Sequence, residues 1–160
     1  MSYPFKSQAA WNRFQARSLQ HALEGCVDYA RTMHNKSIDQ IADDMGLANK
    51  WGLYKYLNNG RIPAILIRPF ENSCKINLVT KYIAYSARKI VIEIPKGNKA
   101  TSRDINSLQA SLTQTVAQLL KFYDGKSSVD ETVESIRNSM ESLAWHGEEV
   151  KKHNEPELDF

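Results

Sequence analysis

The stretch from Ser37 to Gly60 constrains the fold of this chain more than any other feature. Ser37 and Gln40 have the spacing of a capping box, in which each side chain can bond the other residue's backbone amide and so begin a helix. Gly46 is expected to end that helix, because glycine adopts a left-handed conformation at little cost. A second amphipathic segment follows and ends at Asn59-Gly60. The stretch therefore predicts two short helices joined by a tight turn.

The spacing within this pair is typical of a helix-turn-helix. Ala42 is a small residue where the two helices would pack closest, and Gly46 stands in the turn four positions later. Apolar residues follow at Leu47, Leu53 and Tyr56. In the commonest pattern the second helix has its apolar residue one position earlier, where this chain has Gly52, so we expect a turn one residue longer than standard. We predict a recognition helix over residues 49–59, lying in the major groove of DNA.

Amphipathic segments flank this pair on both sides. Apolar residues recur at helical spacing from Leu19 to Met33, and two further segments begin near Pro63 and Asn77. Pro69 lies inside the first of these, so we expect a kink or a restart there. Five short helices in this order predict a lambda-repressor-like helix-turn-helix domain over residues 16–88, preceded by a loose N-terminus at residues 1–15.

The remainder of the chain has a different character. The β-branched run at 90–94 predicts an extended linker or a short strand within residues 89–100. Residues 101–150 predict a helical hairpin whose second helix begins at a capping box, Ser128 with Glu131, and has a heptad seam. That seam consists of Val129, Val133, Ile136, Met140 and Leu143. We expect a frayed tail at 151–160, and the fold class is mainly α.

A lone two-helix hairpin buries too little surface to be stable, so its seam must meet another surface. We expect self-association into a homo-dimer or homo-tetramer. An intramolecular bundle, in which the hairpin folds back on the first domain, remains the alternative.

The net charge of +3 conceals a strong asymmetry along the chain. Residues 47–103 contain eleven Lys or Arg and only two acids, whereas residues 104–160 contain five Lys or Arg and eleven acids. A basic middle third predicts contact with a polyanion. The candidate DNA-binding residues are the exposed positions of the second helix and its end: Asn49, Lys50, Trp51, Tyr54, Lys55, Asn58 and Arg61.

These candidates are expected to differ in role. Asn49 and Lys50 lie at the N-terminal end of the recognition helix, which contacts base edges, whereas Lys55, Asn58 and Arg61 suit phosphates. Trp51 and Tyr54 would meet thymine methyl groups or sugars, unless Trp51 folds back onto the first helix. Four further basic residues are backbone clamps or solvated charges: Lys75, Lys81, Arg88 and Lys89.

A set of local motifs resembles the phage regulatory CII family of temperate phages. The motifs are Gly46-Leu47, Lys50 to Tyr56, Asn59-Gly60, Ile62-Pro63, Arg68 to Glu71, Leu78-Val79 and Ile83-Ala84. The resemblance covers roughly residues 15–150. It implies a phage- or prophage-encoded transcriptional regulator that binds double-stranded DNA, with a tail implicated in oligomerisation. It does not transfer individual base contacts.

Other classes of protein find less support. There is no phosphate-binding glycine loop, nucleophile motif or cluster with metal-ligand spacing, so we predict no enzyme activity, no metal and no cofactor. Cys26 and Cys74 lie at apolar helical positions and predict buried free thiols. The first residues do not resemble a signal peptide and no apolar run could span a membrane, so we expect a cytoplasmic protein. The alternative function is a helical protein-interaction module of the antitoxin or anti-repressor type.

Overall fold

The computed structural model describes residues 7–94 and 101–152. The prediction of a mainly helical fold is confirmed, and the described residues form eight helices and no strand. The helices are α1 Gln8–Asn12, α2 Leu19–His34, α3 Ile38–Asp44, α4 Trp51–Asn59, α5 Ala64–Cys74, α6 Leu78–Ser86, α7 Ser102–Tyr123 and α8 Val129–Lys152. The chain divides into two compact units, Met1–Val91 with α1 to α6 and Ile92–Phe160 with α7 and α8.

The first unit is built around α2, which packs against α4, α5 and α6. The core takes at least one apolar side chain from each of the six helices, because each helix turns one apolar stripe inward. Its largest fully buried side chains are Trp11, Phe70, Leu23, Ile41, Leu53, Val79, Cys26 and Cys74. Both cysteines are free, as predicted, and burial raises the pKa of the Cys26 thiol to about 12.

The N-terminal segment corrects the expectation of a loose region at residues 1–15. Ser7 caps α1 by accepting a hydrogen bond from the amide of Ala10, and Trp11 is completely buried. The indole of Trp11 meets the ring of Tyr29 edge-on at 5.5 Å between centroids. A five-residue helix is too short to show a period in sequence, and it is ordered by this tertiary contact rather than by its own propensity. Residues 1–6 lie outside the described part.

The predicted signals around α3 and α4 are present. The amide of Ser37 donates to Oε1 of Gln40 at 2.8 Å, and the amide of Gln40 donates to Oγ of Ser37 at 3.2 Å. Gly46 has a φ of +67°, the left-handed conformation expected of the turn. However, α4 begins at Trp51 rather than near Asn49, because Oδ1 of Asn49 accepts from the amide of Gly52 and caps the helix.

Pro69 does not cause a restart, since α5 runs as one helix from Ala64 to Cys74. Proline removes one backbone donor, but the side chains of Phe70 and Cys74 on the same helix are completely buried. Core packing therefore holds the helix through the proline.

Two polar contacts fix the helices around α5. Glu71, which is almost completely buried, accepts from the amide of Thr80 at 2.7 Å and from its hydroxyl at 2.6 Å. The buried carboxylate thereby satisfies a free amide in the first turn of α6. The ammonium of Lys36 bonds both Asp44 and Ser73, which links α3 to α5.

Gly60 ends α4 with a φ of +63° and lies against the first turn of α2. A Cβ at this position would lie 3.0 Å from Cβ of Gln20 and 3.3 Å from its backbone nitrogen. We expect Gly60→Ala to lower the free energy of unfolding by about 1–2 kcal/mol, since strain and crowding combine. Gly52→Ala is the matched control: no atom lies within 4 Å of its added Cβ, so a gain of about 0.5–1 kcal/mol is expected. Denaturant melts of both variants measure the difference; a Gly60→Ala protein as stable as wild type would contradict the packing.

Residues 89–94 have no regular secondary structure, so the short strand is not present there, and residues 95–100 of the predicted linker lie outside the described part. In the second unit α7 and α8 pack together as the predicted hairpin. Both helices begin at capping boxes, one formed by Thr101 with Asp104 and the other by Ser128 with Glu131. α8 continues to Lys152, so residues 151–152 of the predicted frayed tail are helical, and residues 153–160 are not described.

The contact between α7 and α8 does not enclose the predicted heptad seam. Val129, Val133 and Leu143 are exposed, and Ile136 and Met140 are half-buried. The buried residues of the hairpin are Thr115, Thr132, Ser139 and Glu149. Hydroxyl groups meet across the contact, with Oγ1 of Thr115 2.7 Å from Oγ of Ser139. The most deeply buried part of the contact therefore consists of small polar side chains, and three of the five heptad residues face outward.

Candidate nucleic-acid interface

The outward face of α4 contains four of the seven predicted DNA-binding residues. Leu53 and Leu57 point into the core, and the 3.6-residue period then turns the opposite side of the helix away from it. That outward side consists of Trp51, Tyr54, Lys55 and Asn58. The structure therefore places these four residues on the side of α4 that faces away from the core, where the sequence predicts them.

The side chain of Trp51 does not fold back onto the preceding helices. It is 71% exposed, and its ring centroid lies 5.9 Å from that of Tyr54. Tyr54, in contrast, is half-buried. The pair offers a flat apolar surface beside the polar groups of the same face.

Lys50 and Tyr54 are joined through Asp39, which lies in the first turn of α3. The ammonium of Lys50 donates to Oδ2 of Asp39 at 2.8 Å, and the hydroxyl of Tyr54 donates to Oδ1 at 3.4 Å. The hydrogen bond to Asp39 raises the pKa of Lys50 above its ordinary value, so the amine stays protonated. Lys50 and Asp39 are each about half-exposed, so the pair remains accessible to a ligand.

The other predicted residues differ in what they can offer. Asn49 uses its carbonyl oxygen to cap α4, which leaves only its amide NH₂ group for another partner. Lys55, Asn58 and Arg61 are exposed at the C-terminal end of α4 and just beyond it.

Asp39 is the residue that the sequence reasoning missed. A carboxylate in the first turn of a helix is favoured by the helix dipole, so the position of Asp39 in α3 indicates no contact with α4. It lies eleven residues from Lys50, so no helical spacing rule connects the two. Only the packing of α3 against α4 brings them together.

The chain from α4 onward is strongly basic, although α3, which packs against α4, contains three acids, Asp39, Asp43 and Asp44. Residues 47–91 contain eight Lys or Arg and a single acid, Glu71. Glu71 is almost completely buried and bonded to Thr80, and its Oε2 also lies 3.8 Å from Nη1 of the exposed Arg68. Six of the basic residues outside α4 are exposed, and these are Lys50, Arg61, Arg68, Lys75, Arg88 and Lys89.

A polar groove runs along one side of the hairpin in the second unit. It has a volume of about 460 Å³ and is lined mainly by hydroxyl, amide and charged groups, among them Gln114, Gln118, Glu131 and Asn138. Lys121 and Glu134 contribute charges of both signs to its walls. The groove is open and lacks the buried, convergent polar groups that characterise a ligand site.

Comparison with protein-family models, with curated proteins and with solved structures finds no match to this chain. Over residues 7–94 and 101–152, none of the helices combines the length and apolarity that crossing a membrane requires. In the same part of the chain, no three His, Cys, Asp or Glu side chains are grouped as they would be around a metal ion.

Proposed function

We propose that this protein binds double-stranded DNA in a sequence-specific manner, with α3 and α4 acting as a helix-turn-helix and α4 entering the major groove. The observation that carries the proposal is the outward face of α4, where Trp51, Tyr54, Lys55 and Asn58 lie within a segment, residues 47–91, that contains eight Lys or Arg and one acid. Proteins that bind DNA combine such an electrostatic footprint with a protruding helix of polar and aromatic side chains. The function is that of a phage- or prophage-encoded transcriptional regulator, as the resemblance to the CII family implies.

The residues of this surface divide into two roles. Lys55, Asn58 and Arg61 lie toward the C-terminal end of α4 and bind phosphates, which set the orientation of the protein on the duplex. Lys50 and the NH₂ group of Asn49 lie at the N-terminal end and donate to acceptors on base edges. Trp51 and Tyr54 contact thymine methyl groups or sugars.

In this proposal the hairpin of α7 and α8 mediates self-association. The first support is that the two helices bury only polar side chains where they contact each other. Within residues 101–152 none of the apolar side chains is buried, although Ser and Thr side chains are. Hydroxyl contacts between helices contribute little net stability in water, about 1 kcal/mol each. A hairpin of this composition needs a further apolar contact to be stable.

The positions of the apolar residues supply the second support. On each helix the exposed apolar residues lie about a quarter turn away from the polar residues that contact the other helix. The five-residue turn between Tyr123 and Val129 makes the two helices antiparallel. In an antiparallel pair these two offsets point the same way, so both stripes lie on one side of the hairpin. We call this side the apolar face, and it consists of Ile105, Leu112, Val116, Leu120, Val129, Val133 and Leu143.

The size of the apolar face suits a second copy of the chain. α7 has 22 residues and α8 has 24, which gives a face about 33 Å long and about 20 Å wide. Its area is therefore about 650 Å² per chain, which falls within the range of specific interfaces, about 600–1,000 Å² per partner. Two such faces packed against each other form a four-helix bundle with twofold symmetry, and this symmetry matches DNA half-sites one helical turn apart.

The exposed apolar face also favours the alternative, a protein-interaction module whose partner is a different protein. The two functions make opposite predictions for the isolated chain. A DNA-binding regulator self-associates and prefers certain duplexes, whereas an interaction module has no duplex preference and binds only through its hairpin.

The proposal predicts that single alanine variants of the outward face weaken DNA binding without unfolding the protein. Lys55→Ala and Trp51→Ala should each reduce affinity for a preferred duplex by about 1–3 kcal/mol, because both side chains are exposed and make few contacts within the fold. Lys151→Ala, which removes the same charge from the exposed end of α8, is the control and should leave affinity nearly unchanged. Fluorescence anisotropy with a labelled duplex and unlabelled competitor measures the affinities, and equal affinities for all the variants and wild type would show that α4 is not the DNA-binding element.

A further inference from the structure

The contact of Asp39 with Lys50 has a consequence for how the proposed DNA surface distinguishes sequences. Lys50 immediately precedes α4, and a lysine there would ordinarily reach the nearest phosphate with its flexible side chain. In this structure the ammonium group is held 2.8 Å from Oδ2 of Asp39. The other carboxylate oxygen accepts from the hydroxyl of Tyr54, so Asp39 is itself fixed from two directions.

Electrostatics explains what this arrangement does. A lysine and the carboxylate that it pairs with have no net charge together. Such a pair adds little to sequence-independent DNA affinity, because that affinity depends on how many phosphates the protein neutralises. The pair nevertheless retains donor capacity, since an ammonium group has three N–H bonds and Asp39 uses one of them. It also presents acceptor lone pairs on the carboxylate, which suit the amino group of cytosine.

We propose that Asp39 is a specificity-determining residue that positions Lys50 for base edges and withholds it from phosphates. This inference rests on the proposed function, because it assigns a role to a residue next to the proposed recognition helix. Asp39 lies outside α4, and its effect is on the ratio of specific to non-specific binding rather than on affinity alone.

The test uses Asp39→Asn in the full chain, with two probes: a duplex enriched by the wild-type protein from a random pool and a scrambled duplex of the same composition. Loss of the carboxylate frees Lys50 for phosphates, so binding to the scrambled duplex should strengthen. The slope of log affinity against log salt for that duplex should steepen by about 0.9, the value for one added phosphate contact. The preference for the enriched duplex should fall about tenfold, as expected when one base contact is lost.

Asp43→Asn provides a matched control, since it removes the same charge from an exposed position four residues further along the chain, and Asp43 acts on Lys50 through its charge alone, whereas Asp39 also accepts its hydrogen bond. This variant should change affinity for both duplexes by a similar factor and leave their ratio unchanged. In a Lys50→Met background, Asp39→Asn should no longer steepen the salt dependence. Thermal unfolding of each variant, followed by circular dichroism, separates these effects from loss of structure.

The outcomes distinguish this inference from the proposed function. A wild-type protein that enriches no duplex overturns both. A wild-type protein with a clear preference, together with an Asp39→Asn variant of unchanged ratio and salt slope, overturns the role of Asp39 alone. An Asp39→Asn effect that persists in the Lys50→Met background also overturns it, because the effect would then not act through Lys50.

Discussion

Replacing Trp11 with alanine is expected to lower the free energy of unfolding of the first unit by about 3–5 kcal/mol, because the indole is completely buried against Tyr29 and Phe14. Marginal stability in a unit of this size makes such a loss a large fraction of the total. Urea unfolding followed by circular dichroism at 222 nm measures it, with the linear extrapolation applied to the transition of the first unit.

Trp51→Ala is the matched control for this prediction. It removes the same side chain from a position that is 71% exposed, so its effect on stability should stay within about 0.5 kcal/mol. The two variants should therefore separate cleanly: Trp11→Ala loses stability, whereas Trp51→Ala keeps stability and loses DNA affinity. A Trp11→Ala protein with wild-type stability would show that α1 does not belong to the folded unit.

Val116→Glu is expected to abolish self-association, because it places a carboxylate in the centre of the apolar face. Val116 is 57% exposed in the single chain, so the substitution should not disturb the hairpin itself. In the bundle proposed above the charge would be buried without a partner, and the dissociation constant should rise at least roughly a hundredfold. Analytical ultracentrifugation over a concentration series measures the change.

Gln114→Glu adds the same charge two residues away on α7, where the side chain lines the polar groove on the other side of the hairpin. It should leave self-association unchanged. If both variants remained associated, the contact between chains would lie elsewhere. If both dissociated equally, the effect would reflect net charge rather than burial of the apolar face.

Local signals in the sequence predicted the parts of the fold that local chemistry determines. The capping boxes at Ser37 and Ser128 correctly predicted the first residue of α3 and of α8, because a capping box depends only on two side chains three positions apart. Gly46 and Gly60 likewise ended helices where a left-handed residue was required. The start of α4 was predicted two residues early because Asn49 caps the helix instead of belonging to it.

Features that depend on tertiary contacts could not be predicted in this way. Trp11 is ordered by packing against α2, and the link from Asp39 to Lys50 depends on how α3 meets α4. The heptad in α8 was correctly recognised as one stripe, but periodicity cannot show which surface a stripe meets. Here the helices of the hairpin meet through Thr115 and Ser139, and Val129, Val133 and Leu143 of the stripe remain exposed.

The separation of charge along the chain agrees with the roles proposed for the two units. The basic residues concentrate in the unit that contains α4, whereas residues 104–160 carry more than twice as many acids as bases. In the proposed function, the phosphate backbone would repel an acidic hairpin, and this repulsion would restrict DNA contact to the first unit. Self-association through the hairpin would then provide two copies of α4, and the hairpin itself would not compete with them for the duplex.

Selection of duplexes from a random pool by the full-length protein, followed by sequencing of the retained DNA, tests the central claim most directly. The account predicts an enriched sequence with two copies of one half-site whose centres lie about 10–10.5 base pairs apart, or a multiple of that distance. It also predicts that Lys55→Ala retains much less of the enriched DNA at the same salt concentration. A retained pool with no sequence preference would contradict the claim that α4 reads DNA.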